Sequence, residues 1–134
     1  MEKLNGEDNK KFLKALKLPK DDWRFKYTST ARTVLRNMWL FDFLHYFMEN
    51  LYNERSMKLS DVASHAYKKG LGPHHPWMIR QAAKVAMIAV PPRDTFLNDT
   101  KATYEDILEF KTQLEKVRPY LWDYYRAHKL DQLP

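Results

Sequence analysis

The longest apolar pattern in the chain runs over residues 30–51, TARTVLRNMWLFDFLHYFMENL. Apolar residues recur there at three- and four-residue spacing on nearly every side. That predicts a helix of about 22 residues, roughly 33 Å long at 1.5 Å per residue, bound for an interior. Upstream, EDNKKFLKALK (7–17) predicts a short helix that stops before Pro19. The stretch LPKDDWRFKYTST (18–30) reads as a basic, aromatic link whose Ser/Thr cluster offers N-caps. NERSMKL (53–59) breaks the long helix, and Ser60 stands where it would cap a third, DVASHAYKKGL. GPHHPW (72–77) is a turn, and Pro76 suits the first position of a fourth helix, PWMIRQAAKVAMIAV. PPRDTFLND then ends that helix, since Pro91 and Pro92 cannot continue it. A last amphipathic helix is predicted from near Thr103 towards Leu130, kinked at Pro119. The fold class is all-α. No repeat or composition shift marks a boundary, so residues 1–134 read as one domain.

Composition sharpens this picture. With 44% hydrophobic and 14% aromatic residues the chain has the means for a core, and only three glycines leave little room for a turn-rich β fold. No cysteine occurs, which excludes a disulfide framework and thiol chemistry and suits a reducing cytosol. The N-terminus is charged from its second residue and does not resemble a signal peptide. The apolar region 34–52 is interrupted by Arg36, Asn37, Asp42, His45, Glu49 and Asn50 and falls short of a membrane span. The net charge is +6 and the pI about 9.4, a balance that suits an anionic partner: a phosphate ligand, an anionic membrane surface or a nucleic acid.

The candidate chemistry begins with Arg32 and Arg36, one turn apart at the head of the long helix. Steps of three and four continue that face through Trp39 and Leu40 to Phe43 and Phe47. A cationic end followed by an apolar stripe matches a ligand with an anionic head and a greasy tail, because guanidinium groups grip phosphate oxygens through forked hydrogen bonds. The plainer alternative pairs the arginines with carboxylates such as Glu7, Asp21 or Asp22, or lets them snorkel, and on spacing alone it is the commoner outcome. His75, ahead of Pro76, can reach a ligand or cap a helix, and Trp77 can lie in a core or at a water–lipid boundary. His74 and His75 point in different directions and have no cysteine or H-E-x-x-H pattern beside them, so no metal site is expected. No glycine-rich phosphate loop, G-x-S-x-G or EF-hand loop occurs, and the Asp, Ser and His of DVASH are not a triad by adjacency. No enzyme activity and no cofactor are expected. Basic and aromatic residues are scattered, without a recognition helix, which argues against a nucleic acid.

RTVLR followed by an aromatic-rich helix, then HHPWMIRQAAKVAMIAVPPRDTFL, resembles the glycolipid transfer protein superfamily, and within it the ceramide-1-phosphate transfer subgroup. YYRAHKLDQLP resembles that subgroup's C-terminus, and MEKLNGED the end of one of its early helices. The resemblance implies a two-layer, all-helical sandwich, here a partial one, whose apolar interior takes lipid chains. It implies that Arg32 and Arg36 hold the phosphate of a phosphosphingolipid and that His75 hydrogen-bonds the lipid amide. Trp77 would lie near the membrane-docking face, and Leu40, Phe43 and Phe47 would line the apolar pocket. An arginine at position 36, where the glycolipid branch carries a sugar-stacking Trp, favours phosphate over sugar.

The chain departs from the family in length. The family domain is roughly half again as long, and what is missing lies at the N-terminus, including an Asp that anchors the sphingoid amide and a Lys that helps bind phosphate. Asp8 and Lys11 carry no reason to be equated with them. Loss of the covering helices would expose an apolar face, including part of the second helix, open to a membrane, a partner or a second copy. Losing the Asp costs a charged hydrogen bond of roughly 1.5–3 kcal/mol, so weaker lipid binding is expected than in a complete member. The expected function is non-enzymatic intermembrane transfer of ceramide 1-phosphate by a cytosolic protein, monomeric if folded, that visits anionic membranes. The rival expectation is a lipid sensor or interaction module that does not transfer.

Overall fold

The chain is represented by a computed structural model that describes residues 24–133. The helix expected over 7–17, Asp8, Lys11 and the carboxylates Glu7, Asp21 and Asp22 lie outside the described residues. The elements are α1 (Arg24–Asn53), α2 (Leu59–Gly70), a 3-10 turn (Gly72–His74), α3 (Trp77–Ile88), α4 (Arg93–Thr100) and α5 (Tyr104–Ala127). No strand occurs among the described residues, as the all-α reading expected.

Several boundaries differ from the sequence pattern for identifiable reasons. α1 begins by Arg24, so residues 24–30 are helix and not link. Ser and Thr cost only about 0.5 kcal/mol each in a helix interior, too little to stop one. Ser60 does not cap α2: Lys58 holds the extended N-cap position, and the Ser60 carbonyl accepts a bond from Ser64 Oγ at 2.7 Å inside the helix. Leu59 is buried in the core, which draws the helix start ahead of Ser60. Pro76 is likewise the N-cap of α3, at ψ 162, and not its first helical residue. PPRDTFLND ends one helix as expected but also starts another, α4, with Pro92 at its N-cap position. A proline needs no amide partner there, and Phe96 and Leu97 of this short helix pack on the core.

α5 starts on a reciprocal cap. The Thr103 N–H donates to Asp106 Oδ2 at 2.8 Å, and the Asp106 N–H donates to Thr103 Oγ1 at 3.2 Å. The Thr103 N–H and then the Thr103 hydroxyl, which donates to the same Oδ2 at 2.7 Å, hold the Asp106 carboxyl below its usual range. The helix carries Pro119 in its interior and continues beyond it to Ala127. It stops short of Leu130 because Lys129 takes a left-handed φ of 55, and the Leu130 N–H turns back to the Tyr125 carbonyl at 2.8 Å. This is the Schellman pattern of a helix C-terminus, with lysine in the place glycine usually fills.

The chain groups into two compact units. In residues 39–120, Leu51, Leu59, Val62 and Ile107 form a buried cluster against which Phe47, Met48, Val90 and Phe96 pack. Arg93 ties this unit together: its guanidinium donates to the carbonyls of Leu51 (2.8 Å), Glu54 (2.6 Å) and Met57 (2.7 and 3.2 Å). Those carbonyls lie at the end of α1 and in the turn after it, where helical partners run out, and the Glu54 one also accepts from the Met57 N–H at 3.0 Å. Arg118 Nε donates to Asp42 Oδ1 at 2.7 Å, joining α5 to α1 through a mostly buried ion pair. In residues 24–38 with 121–133, Leu35, Met38, Tyr125, Leu130 and Leu133 are buried, and the Tyr125 hydroxyl donates to the Ala31 carbonyl at 2.9 Å.

α2 reaches α1 through Gly70, where a Cβ would sit 2.5 Å from the Phe43 Cα. Backbone cannot yield as a side chain does. Gly70→Ala should therefore lower stability by about 1–3 kcal/mol through overpacking, against the gain of up to about 1 kcal/mol that Ala brings to an ordinary helix. Urea unfolding followed by circular dichroism checks this; equal or raised stability would show that the helices part at no cost.

Candidate functional site

Arg32 and Arg36 lie a turn apart on α1, in the unit of residues 24–38 and 121–133. Leu35 and Met38, each 1% exposed, fix the rotation of the helix. Arg36 is thereby left exposed and Arg32 half-buried. Among the described residues Arg36 has neither a hydrogen bond nor an ion pair, whereas Arg32 has a partner. A solvated guanidinium without a carboxylate keeps its fork of donors for an anion.

The histidines of HHPW face different partners in the unit of residues 39–120. The His74 ring stacks on Trp39 with centroids 4.2 Å apart and planes within 3°. The His75 Nδ1 lies 2.8 Å from the Tyr67 hydroxyl. With that hydroxyl donating, the imidazole proton sits on Nε2, which is the atom left for a ligand. The 3-10 turn Gly72–His74 doubles the chain back so that His75 meets the end of α2. Desolvation lowers the His74 pKa, Asp42 opposes that shift, and His75 adds to it. Burial likewise pushes the Tyr67 phenol up, against the Arg80 charge. Neither Tyr67 nor the Trp39–His74 stack was legible in the sequence, because each pair meets only through the crossing of α1, α2 and the turn.

The apolar residues of α1 divide. Leu40 is 41% exposed, whereas Phe43 and Phe47 are half-buried, with ring centroids 5.9 Å apart. Phe47 also meets Phe96 edge-on at 5.9 Å and packs against the buried cluster. The largest apolar exposure falls on α3, none of whose residues is buried. Trp77 is 66% exposed, Met78 73%, Val85 69% and Ile88 79%.

Further along α1, His45 is buried and its Nε2 lies 3.2 Å from Glu115 Oε1, which Lys111 also approaches at 2.8 Å. His45, Glu49 and Glu115 bring ligand atoms within 4.8 Å of one another. The Lys111 ammonium already occupies the carboxylate a cation would need. Its hydrogen bond, followed by that of His45, holds the Glu115 carboxyl low.

A family model for glycolipid transfer protein (GLTP) matches residues 3–102. The chain is 35% identical to the ceramide-1-phosphate transfer protein of Xenopus tropicalis over 113 residues, covering 79% of this chain and 52% of that protein. In structure it is similar to human ceramide-1-phosphate transfer protein in complex with 12:0 ceramide-1-phosphate. That match has TM-score 0.69 and 27% identity, over 78% of this chain and 53% of the human one. A mutant of Arabidopsis accelerated-cell-death 11 complexed with C12 ceramide-1-phosphate shares the fold, with TM-score 0.74 and 24% identity over 93% of this chain and 62% of that one. The chain thus spans about half the length of the curated relatives it matches.

The stack at His74 has a pH signature. Its pKa in the folded chain is lowered, so the stability it contributes is present above the unfolded value, about 6.5, and is lost as pH falls through the folded one. His74→Phe keeps a ring on Trp39 and removes the proton. Melting temperatures of the two chains between pH 7 and pH 5 should diverge, with the natural chain losing more on acidification; parallel curves would remove His74 as a source of acid lability.

Proposed function

This chain belongs to the glycolipid transfer protein family, and on that premise we propose that it is a non-enzymatic carrier of a phosphosphingolipid of the ceramide 1-phosphate kind. The observation that carries the reading is the arginine pair of α1. Arg36 is exposed and unpaired among the described residues, one turn from Arg32. The helix belongs to a chain 35% identical to a ceramide-1-phosphate transfer protein. Two guanidinium groups one turn apart suit the three oxygens of a phosphate monoester, which accept bidentate, charge-assisted bonds. The His75 Nε2–H would donate to the lipid amide carbonyl. Leu40, Phe43 and Phe47 would receive the hydrocarbon chains, and Trp77 would dock at the membrane surface, where an indole is at home.

The mechanism is a cycle of partition. The net charge of +6 draws the protein to an anionic leaflet, a transient and peripheral visit from the cytosol. The phosphate exchanges lipid-surface water for the arginines, the chains leave the bilayer for the protein's apolar surface, and the reverse steps release them. No bond is made or broken, so selectivity rests on the headgroup. Phosphate gains charge-assisted bonds that a neutral sugar cannot make. No helix among the described residues is long and apolar enough to cross a membrane.

A second reading, a lipid sensor or interaction module that does not transfer, is favoured by α3. A helix with no buried residue offers its apolar face to a partner or a second copy. Transfer between vesicles separates the two readings, since a sensor binds lipid without moving it.

Short-chain ceramide 1-phosphate should raise the melting temperature and short-chain galactosylceramide should not. At a ligand concentration 100 times Kd the gain is about 2.7 kcal/mol. Arg36→Glu should cut affinity at least tenfold and abolish the shift while the unliganded melt stays within about 0.5 kcal/mol, as for a surface substitution. Full binding by that variant would sink the headgroup assignment.

A further inference from the structure

Within residues 39–120, α1 and α5 meet through a ladder of polar side chains. Asp42, His45 and Glu49 follow at steps of three and four on α1, as do Lys111, Glu115 and Arg118 on α5, so each set shares one helix face. Arg118 pairs with Asp42 at 2.7 Å, and one turn away His45 Nε2 lies 3.2 Å from Glu115 Oε1. The first pair is mostly buried and fixes the register of the two helices, which holds the second meeting in place. There a ring nitrogen of His45 and a carboxylate oxygen from each of Glu49 and Glu115 all lie within 4.8 Å of one another. His45 is buried, and its Nδ1 is also buried with no hydrogen-bond partner among the described residues. A buried polar atom in that state calls for a reason. Nδ1 is free to take the ring proton, which leaves the Nε2 lone pair for an ion between the carboxylates.

Charge at this junction is unbalanced. Two carboxylates approach the imidazole, and one ammonium answers them, Lys111 at 2.8 Å from Glu115. Glu49 has no ion-pair partner among the described residues. A divalent cation would answer both carboxylates at once. One imidazole nitrogen and two carboxylate oxygens form a zinc donor set, with the fourth position left to water. Magnesium and calcium take six or more ligands, nearly all oxygen, which three side chains including an imidazole do not supply. Tetrahedral zinc at about 2.0–2.2 Å from each donor brings the donors roughly 3.4 Å apart. Neither glutamate is buried, so a small rotation of each side chain closes the difference. Lys111 competes for Glu115, but its single charge on a flexible stem holds one carboxylate where zinc would hold two carboxylates and the ring.

We propose that His45, Glu49 and Glu115 form a zinc site that clamps α1 to α5, with Lys111 as the internal cation that zinc displaces. The site uses none of Arg32, Arg36 and His75 and stands whether or not the chain carries a lipid. A histidine and a glutamate four residues apart are an ordinary helix edge by themselves, and only the fold brings Glu115 to them. The bound ion joins two helices and carries no reaction.

Calorimetric titration of the full chain with zinc chloride tests this, with magnesium chloride as the control. Zinc should bind at one ion per chain and raise the melting temperature, and magnesium should do neither. Glu49→Gln should weaken zinc binding at least tenfold with helicity unchanged. Lys111→Met removes the competing ammonium and should tighten it at least threefold. Zinc bound equally well by Glu49→Gln would be an adventitious ion only, and the proposal would fall. A Lys111→Met chain that binds zinc no more tightly than the natural one would overturn the displacement. Should Glu49→Gln lose helicity, the ring resonances of His45 in the natural chain read the site directly. They should shift with the first equivalent of zinc, and unmoved signals would overturn the assignment.

Discussion

At Gly70 the backbone of α2 lies against the backbone of α1 with no space for a methyl group, and much of the surrounding geometry depends on that approach. Gly70 is buried and ends α2, so the chain leaves the helix at its closest point to Phe43. Two residues later the 3-10 turn begins, and it delivers His74 to Trp39 and His75 to Tyr67. A wider crossing would carry the turn outward and separate both pairs. Glycine here serves proximity and not conformational freedom, since neither it nor any other glycine of the described chain takes a positive φ. At the other end of α2 the approach is held by hydrogen bonds. The Arg93 guanidinium gathers carbonyls from α1 and the following turn, so α4 cannot drift from the buried cluster without stranding those acceptors.

How far the sequence disclosed this depended on the range of the interaction. Helical periodicity, a matter of neighbours within two turns, gave α1, α2, α3 and α5 with their types correct. It failed at α4, where two prolines read as a stop and the eight residues after them are too few to show a period. Boundaries moved wherever tertiary burial competed with capping preference, as at Leu59 against Ser60. The arginines were visible as a pair because a helix face is a local property, and their meaning came from the resemblance of RTVLR and HHPW to a family. Tyr67 and Trp39 went unread as partners of the histidines because nothing within a turn or two of either points across the fold.

The cations of the described residues fall into two groups. Arg118 and Lys111 are matched to Asp42 and Glu115 between or along helices, and these pairs staple the unit of residues 39–120. Arg36, Lys68, Arg80 and Lys84 are matched to nothing among the described residues. The first group does structural work in a partly desolvated setting, where removing one partner leaves a costly charge. The second remains solvated and retains its donors, which is the condition for meeting an anion.

α3 joins this scheme from an unusual position. It buries none of its residues, and its neighbours are fixed mainly at its two ends, by the His75–Tyr67 bond before it and Val90 on the buried cluster after it. Local opening free energy follows buried contacts. The amides of α3 would therefore exchange with solvent far sooner than those of α1 and α2, as a unit separate from global unfolding. The helix that carries Trp77 can thus rearrange at small cost, while the helices around Gly70 hold their register.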